Sequence, residues 1–171
     1  MQNTLYMLTA VDVRRAEAAG SSRAITIEKL TIPPVKFMTA SHNPGGGVMG
    51  GDFVLPRIEP LEPAFSVKGI DTDIFSGMGV RDRWTFAGSF RNKKTNKPVP
   101  ARGIIEGAIT EWEPDESDPG EFQGCTHAFK EVLHFEFLLD GVELWYIDFW
   151  ERIIRRNGED LFADDRLALG A

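Results

Sequence analysis

Between Phe129 and Phe149 the chain reads FKEVLHFEFLLDGVELWYIDF, and apolar and polar positions alternate along it. Phe129, Leu133, Phe135, Phe137 and Leu139 take odd positions, while Lys130, His134, Glu136 and Asp140 take even ones. A period of two sends successive side chains to opposite faces, so one face of this run is predicted to enter a core. Asp140-Gly141 divides the run, and this dipeptide suits the positive φ angles of a two-residue hairpin turn. The stretch is therefore expected to form one long antiparallel hairpin. On its return arm Val142, Leu144 and Tyr146 oppose Glu143, Trp145 and Ile147, which predicts apolar cover on two sides.

The rest of the chain follows the same style. Residues 1–23 hold a strand over Thr4 to Val13 and then a polar connection, Arg14 to Ser22, with room for a helical turn. Ala24 to Ile32 alternates until Pro33-Pro34, where the missing N–H ends regular pairing. Val35 to Ser41 is extended, and Asn43 to Gly51 (NPGGGVMGG) is dominated by glycine, so residues 33–51 are expected to form a projecting arm. Leu61 to Gly69 reads as a strand. Residues 71–79 read as a short helix, capped by Asp71, with Ile74, Phe75 and Met78 on one face and Gly79 at its end. Arg83 to Arg91 sets Trp84, Phe86 and Phe90 against Thr85, Ala87, Ser89 and Arg91, and a turn over Asn92 to Pro98 returns it to Val99–Trp112. Glu151 to Arg156 leads to a turn at Asn157-Gly158, and residues 159–169 are expected to be a helix closed by Gly170. The economical fold is a mainly β antiparallel sandwich or barrel spanning residues 1–171 as a single domain, with one short internal helix and one short C-terminal helix.

Composition sharpens this in one respect. With 42% hydrophobic and 26% charged residues the chain is ordinary for a globular domain, and its 171 residues suffice for one core. The net charge of −7 hides a division: residues 1–105 carry 14 Lys/Arg against 9 Asp/Glu, and residues 106–171 carry 5 against 17. Such halves can meet within one molecule or between copies joined head to tail. The local basic cluster Arg91, Lys93, Lys94 and Lys97 lies on a hairpin tip, not along a stripe that would track nucleic acid. No apolar run approaches the roughly 18 residues of a membrane helix, and the N-terminus lacks the layout of a signal peptide, so neither membrane insertion nor general export is expected.

Motifs for chemistry are sparse. Gly45, Gly47 and Gly50 satisfy G-x-G-x-x-G, but the fingerprint needs a helix opening at its last glycine, and Pro56 argues against one; a loop entering a strand is the better account. His127 and His134 lie seven apart on one strand, on opposite faces, and cannot share a ligand; His42 stands alone. The acidic run at Asp115, Glu116 and Asp118 lacks calcium-loop spacing and reads as a solvated loop. No metal site, cofactor or catalytic constellation is expected. The one cysteine, Cys125, is either a small half-buried strand residue or the donor of an intermolecular disulfide.

Several blocks resemble the major tail tube protein of contractile-tailed phages, a family shared with R-type pyocin tubes. DGVELWYIDFWERIIRRNGEDLFADDRLALG is similar to the family's DG-x-E-x-x-x-ID run, the Asn-Gly turn toward its last helix, and its closing R-x-x-LG. KLTIPPVKFMTASHNPGGGVMGG resembles its LTLPKL strand and following glycine-rich segment, and LEPAFSVKGID, FAGSFR and IIEGAITEWE continue the resemblance in order.

The resemblance implies a structural virion protein in which inner sheets of six subunits join into one barrel, and hexameric rings stack into the tail tube. Its implied partners are further copies of itself, a sheath protein outside, a tape-measure protein in the lumen, baseplate and tail-terminator proteins at the ends, and DNA passing without specific binding. Assembly would occur in the bacterial cytoplasm. On this view the segment containing Pro33, Pro34, Val35, Lys36, Phe37, Met38, Gly45, Gly46 and Gly47 reaches the next ring. Thr85, Ser89, Glu106 and Thr110 are lumen candidates, an acidic or neutral wall letting DNA slide; exposure toward solvent or sheath is the competing reading. A genome-free contractile particle, or a monomeric β-sandwich carrier, are the alternatives.

Overall fold

The computed structural model describes residues 3–16 and 21–170, so the helical turn expected before Ser22 falls largely on residues outside those described. In chain order the elements are β1 (Tyr6–Arg15), β2 (Ile27–Thr31), β3 (Phe37–His42), β4 (Gly51–Ile58), β5 (Ala64–Lys68), α1 (Thr72–Gly77), β6 (Arg81–Asn92), β7 (Pro98–Pro114), β8 (Gly124–Leu139), β9 (Val142–Asp148), β10 (Ile153–Arg156), β11 (Glu159–Asp160) and α2 (Ala163–Ala168). Nine strands form one antiparallel sheet in the order β1-β6-β7-β8-β9-β10-β11, with β5 pairing the first part of β8 and β2 pairing β5. β3 and β4 make a separate two-stranded sheet.

The expected hairpin is present. Asp140 and Gly141 take φ of 53° and 77°, joining β8 to β9 through the two-residue turn that matches strand twist. Asn157 and Gly158 repeat the device between β10 and β11. That second pairing corrects one expectation. Glu159 and Asp160 are held opposite Arg156 and Arg155, so the last helix cannot start at residue 159 and begins at Ala163 instead.

β8 is bent near its middle. Lys130 pairs with Ala108 and His134 with Glu106, so three residues of β8 face Gly107 alone, and Glu131 adopts φ 52°. A bulge of this kind kinks a strand and increases its twist. A side chain at Gly107 would press on Val132 at 3.0 Å and the Lys130 carbonyl at 3.3 Å, so glycine there permits the approach. Bending lets one continuous sheet fold over itself. Phe65 of β5 packs against Trp84, Phe86 and Phe129, and with Val13, Ile74, Ile105, Ile109, Phe135 and Ile147 these side chains form the core. Helix α1 closes one end as expected, with Asp71 accepting from the Asp73 amide and Ile74 buried. Two buried arginines tie this end together. Arg23 binds Asp71 at 2.6 Å and Asp73 at 2.7 Å, and Arg15 pairs with Asp82 and with Asp73 at 3.2 Å.

The sandwich is open: the sheet does not close into a barrel within one chain. Cover on β9 also differs from expectation. Ile147 is buried and Trp145 packs on the core, but on the reverse face Tyr146 is covered only by neighbouring side chains, the Arg155 guanidinium 4.3 Å from its ring centroid and the His134 ring at 5.2 Å. That side of the sheet is a polar surface.

Candidate assembly surfaces and channel face

Register brings the outward positions of six strands into adjacent rows. Arg14, Thr85, Ile104, Glu136, Tyr146 and Arg155 stand side by side across β1, β6, β7, β8, β9 and β10, and Arg83, Glu106, His134 and Asp148 form the next row. Core residues occupy the reverse of the same strands, as strand alternation requires. Thr85, Ser89 and Glu106 all lie on this face. Thr110 does not join them: it sits at the bulge between Ile109 and Glu111, beyond the last pairing of β6.

The face is laced with charge pairs. His134 sits between two carboxylates, with Nδ1 2.8 Å from Asp148 and Nε2 2.7 Å from Glu136. Arg155 donates to both oxygens of Glu143 at 2.6 and 2.9 Å. Burial works against the charged Asp148, yet the Glu151 amide and the His134 ring outweigh it and hold its pKa below the ordinary carboxylate value. The hydrogen bonds from Arg155 lower the pKa of Glu143 in the same sense. Tyr146 is pushed up to about 12, first by burial and then by its hydrogen bond to Glu151. The even positions of β8 are polar in the sequence, but their partners across the sheet follow only from register.

Three further surfaces stand out among the described residues. The first is the outer edge of β1, which pairs with β6 on one side only and exposes Leu5, Tyr6, Met7 and Leu8. An apolar, unpaired edge of this length invites another strand. The second is the β3–β4 hairpin. The expected arm over 33–51 is shifted: Pro33 is buried, Val35 packs on the core and Phe37 meets Trp145, so projection begins at Met38 and runs to about Pro56. Its tip exposes Val48, Met49, Phe53 and Val54, and Gly50 leaves no room for a side chain beside Asn43. No helix follows the glycines; β4 does, as the proline implied. At the hairpin's base lies a largely apolar groove of about 680 Å³ that includes Met38, Ile58, Leu133, Phe149 and Ile153. The third surface is the two ends of β7. The β6–β7 turn carries Lys93, Lys94 and Lys97, and the β7–β8 loop carries Asp115, Glu116, Asp118 and Glu121, at opposite ends of one seventeen-residue strand.

The sulfur and imidazole groups are structural. Cys125 is 3% exposed, its Sγ is 3.5 Å from His127 Nε2, and burial raises its pKa. His127 is fully buried against Phe65, and His134 lies on the opposite, polar face, so the two cannot converge. Among the described residues no group of three or more His, Cys, Asp or Glu side chains is placed to hold a metal. A thiol reagent such as 5,5′-dithiobis(2-nitrobenzoate) is expected to leave Cys125 unmodified in the native protein and to titrate it in denaturant. A non-reducing gel is expected to show only monomer; a disulfide-linked dimer would contradict the buried placement.

The open β-sandwich thus combines a free strand edge, a protruding hairpin and oppositely charged ends. The phage tail tube protein FII family matches residues 16–170, and the chain belongs to it. Its role is structural, in a tail tube of the virion. Among solved structures, a chain of the anti-feeding prophage baseplate, determined by cryo-electron microscopy with six-fold symmetrisation, is similar in fold: TM-score 0.51 at 9% identity, covering 81% of this chain and 95% of that one. No curated protein is similar in sequence.

Proposed function

We propose that six copies form a ring whose polar sheet faces line a channel, and that stacked rings make the inner tube through which DNA leaves a contractile tail. The free β1 edge carries this reading. In a ring every such edge finds a strand of the next subunit, and heterologous contacts close without leaving an aggregation-prone border. The six-fold symmetry named for the fold neighbour supports the number.

Strands of a closed barrel run at a tilt to its axis, so their ends lie at its two rims. The basic β6–β7 turn and acidic β7–β8 loop then occupy opposite rims, and head-to-tail stacking brings unlike charges together. The β3–β4 hairpin reaches the adjoining ring. The wall itself presents arginines and carboxylates in pairs, so DNA meets no uncompensated stripe of cations and slides. Sheath outside, tape-measure protein within, and baseplate and terminator at the ends complete the assembly, with no enzymatic step and no cofactor. Electron microscopy of the purified protein and of the mature particle tests this. Rings or hollow rods are expected, and a compact monomer in the particle would refute it.

A further inference from the structure

Arginines on a channel wall ought to catch passing phosphates, and this face carries several. Four of them lie beside carboxylates of the same chain, Arg155 in bidentate geometry. Arg155 is clamped by both oxygens of Glu143 and lies over the ring of Tyr146. Arg81 lies 3.4 Å from Glu106 and 3.8 Å from Glu131, Arg83 lies 4.0 Å from Glu136, and Arg14 lies 2.8 Å from Asp12. The carboxylates are themselves tied down: Glu136 also meets His134, and Asp12 also accepts from Ser22 and the Arg23 amide.

Resting on the channel reading above, we propose that Glu106 and Glu143 are masking residues, holding Arg81 and Arg155 in intrachain pairs that keep the wall from binding the DNA backbone. Arg155, bidentate on Glu143, has already used the donors with which it would grip a phosphate in the same fork geometry, while Arg81 is held by its ion-pair contacts to Glu106 and Glu131. Phosphate must displace a carboxylate that costs no translational entropy to retain, whereas a freed arginine binds by releasing counterions. Arg102 and Arg91 mark the contrast. Near the basic turn, Arg102 has no carboxylate pair among the described residues and Arg91 donates to the Asn96 carbonyl, so masking is a property of the middle of the face and not of the rim.

The test compares tubes of the native sequence, of Glu106→Gln/Glu143→Gln, and of a fourfold variant that adds Arg81→Gln and Arg155→Gln and so restores the native net charge. Each is incubated with a short double-stranded DNA oligonucleotide and pelleted. The double variant is expected to retain roughly ten-fold more DNA at low salt and to release it as salt rises, because each ring repeats the freed arginines six times. The fourfold variant should return to the native level. Equal retention by native and double-variant tubes overturns the proposal, and so does equal retention by double and fourfold variants, which would show that the freed arginines are not what holds the DNA. Where a variant fails to assemble, the unassembled chain on a heparin column gives the same comparison: later elution of the double variant alone supports masking, and unchanged elution refutes it. The channel reading is checked separately with Thr85→Cys in tubes. A small maleimide should react and a bulky polyethylene-glycol maleimide should not; labelling by both would remove Thr85 from the lumen without deciding the masking question.

Discussion

Excising residues 40–53 and joining Thr39 to Val54 by an Asn-Gly turn is expected to abolish tube formation while leaving the subunit folded. Thr39 and Val54 face each other across the hairpin, so a two-residue turn can reconnect them. Almost every excised residue is exposed, and the core touches none of them. The subunit's stability to urea should therefore change by no more than about 0.5 kcal/mol, the range of surface substitutions away from packed features. Assembly stands differently. Val48, Met49 and Phe53 are held out in water at the far end of a two-stranded sheet whose contacts with the body lie at its base, Phe37 against Trp145 and Ile58 on the core. Burying each against a neighbour is worth on the order of 1.5–3 kcal/mol before the costs of association. Undiminished tubes from the shortened protein, seen by negative-stain microscopy, would show that the hairpin has no part in stacking.

Replacing Phe65 by alanine should have the largest effect on the subunit itself. Its ring is 1% exposed and lies 5.9 Å from Trp84, 6.0 Å from Phe86, 5.9 Å from Phe129 and 5.2 Å from His127, centroid to centroid. It is the main side chain by which β5 is packed over β6. Truncation leaves a cavity among rings that cannot all move inward, and costs of about 3–5 kcal/mol are usual for a buried phenylalanine. Against a total of roughly 5–15 kcal/mol for a domain, that is a large fraction. Equilibrium denaturation of the soluble subunit measures it, and a loss below about 1 kcal/mol would mean that the two layers are held by something other than this contact.

The hairpins, the short helix with its Asp71 cap, and the polar-apolar alternation of β6, β7 and β8 were legible in the sequence. These features depend on neighbours along the chain: positive φ at Asp140 and Gly141, an Asx cap, a period of two. The bulge at Glu131 was not legible, because nothing local announces that three residues will face one glycine. The pairing of Glu159 and Asp160 was missed for a similar reason. An acidic segment with good helical neighbours was claimed by a strand that ends three residues earlier.

What the sequence determined by itself was the number and type of most elements, the side of each strand that enters the core, the absence of familiar catalytic spacings, and the resemblance to tail tubes. The tertiary structure alone decided which charges meet. Arg155 finds Glu143 twelve residues away, while Arg81 finds Glu106 across the β6–β7 pair, and neither distance follows from composition. Cross-strand partners are set by register, and register here shifts at bulges whose position depends on how the sheet folds over its own core.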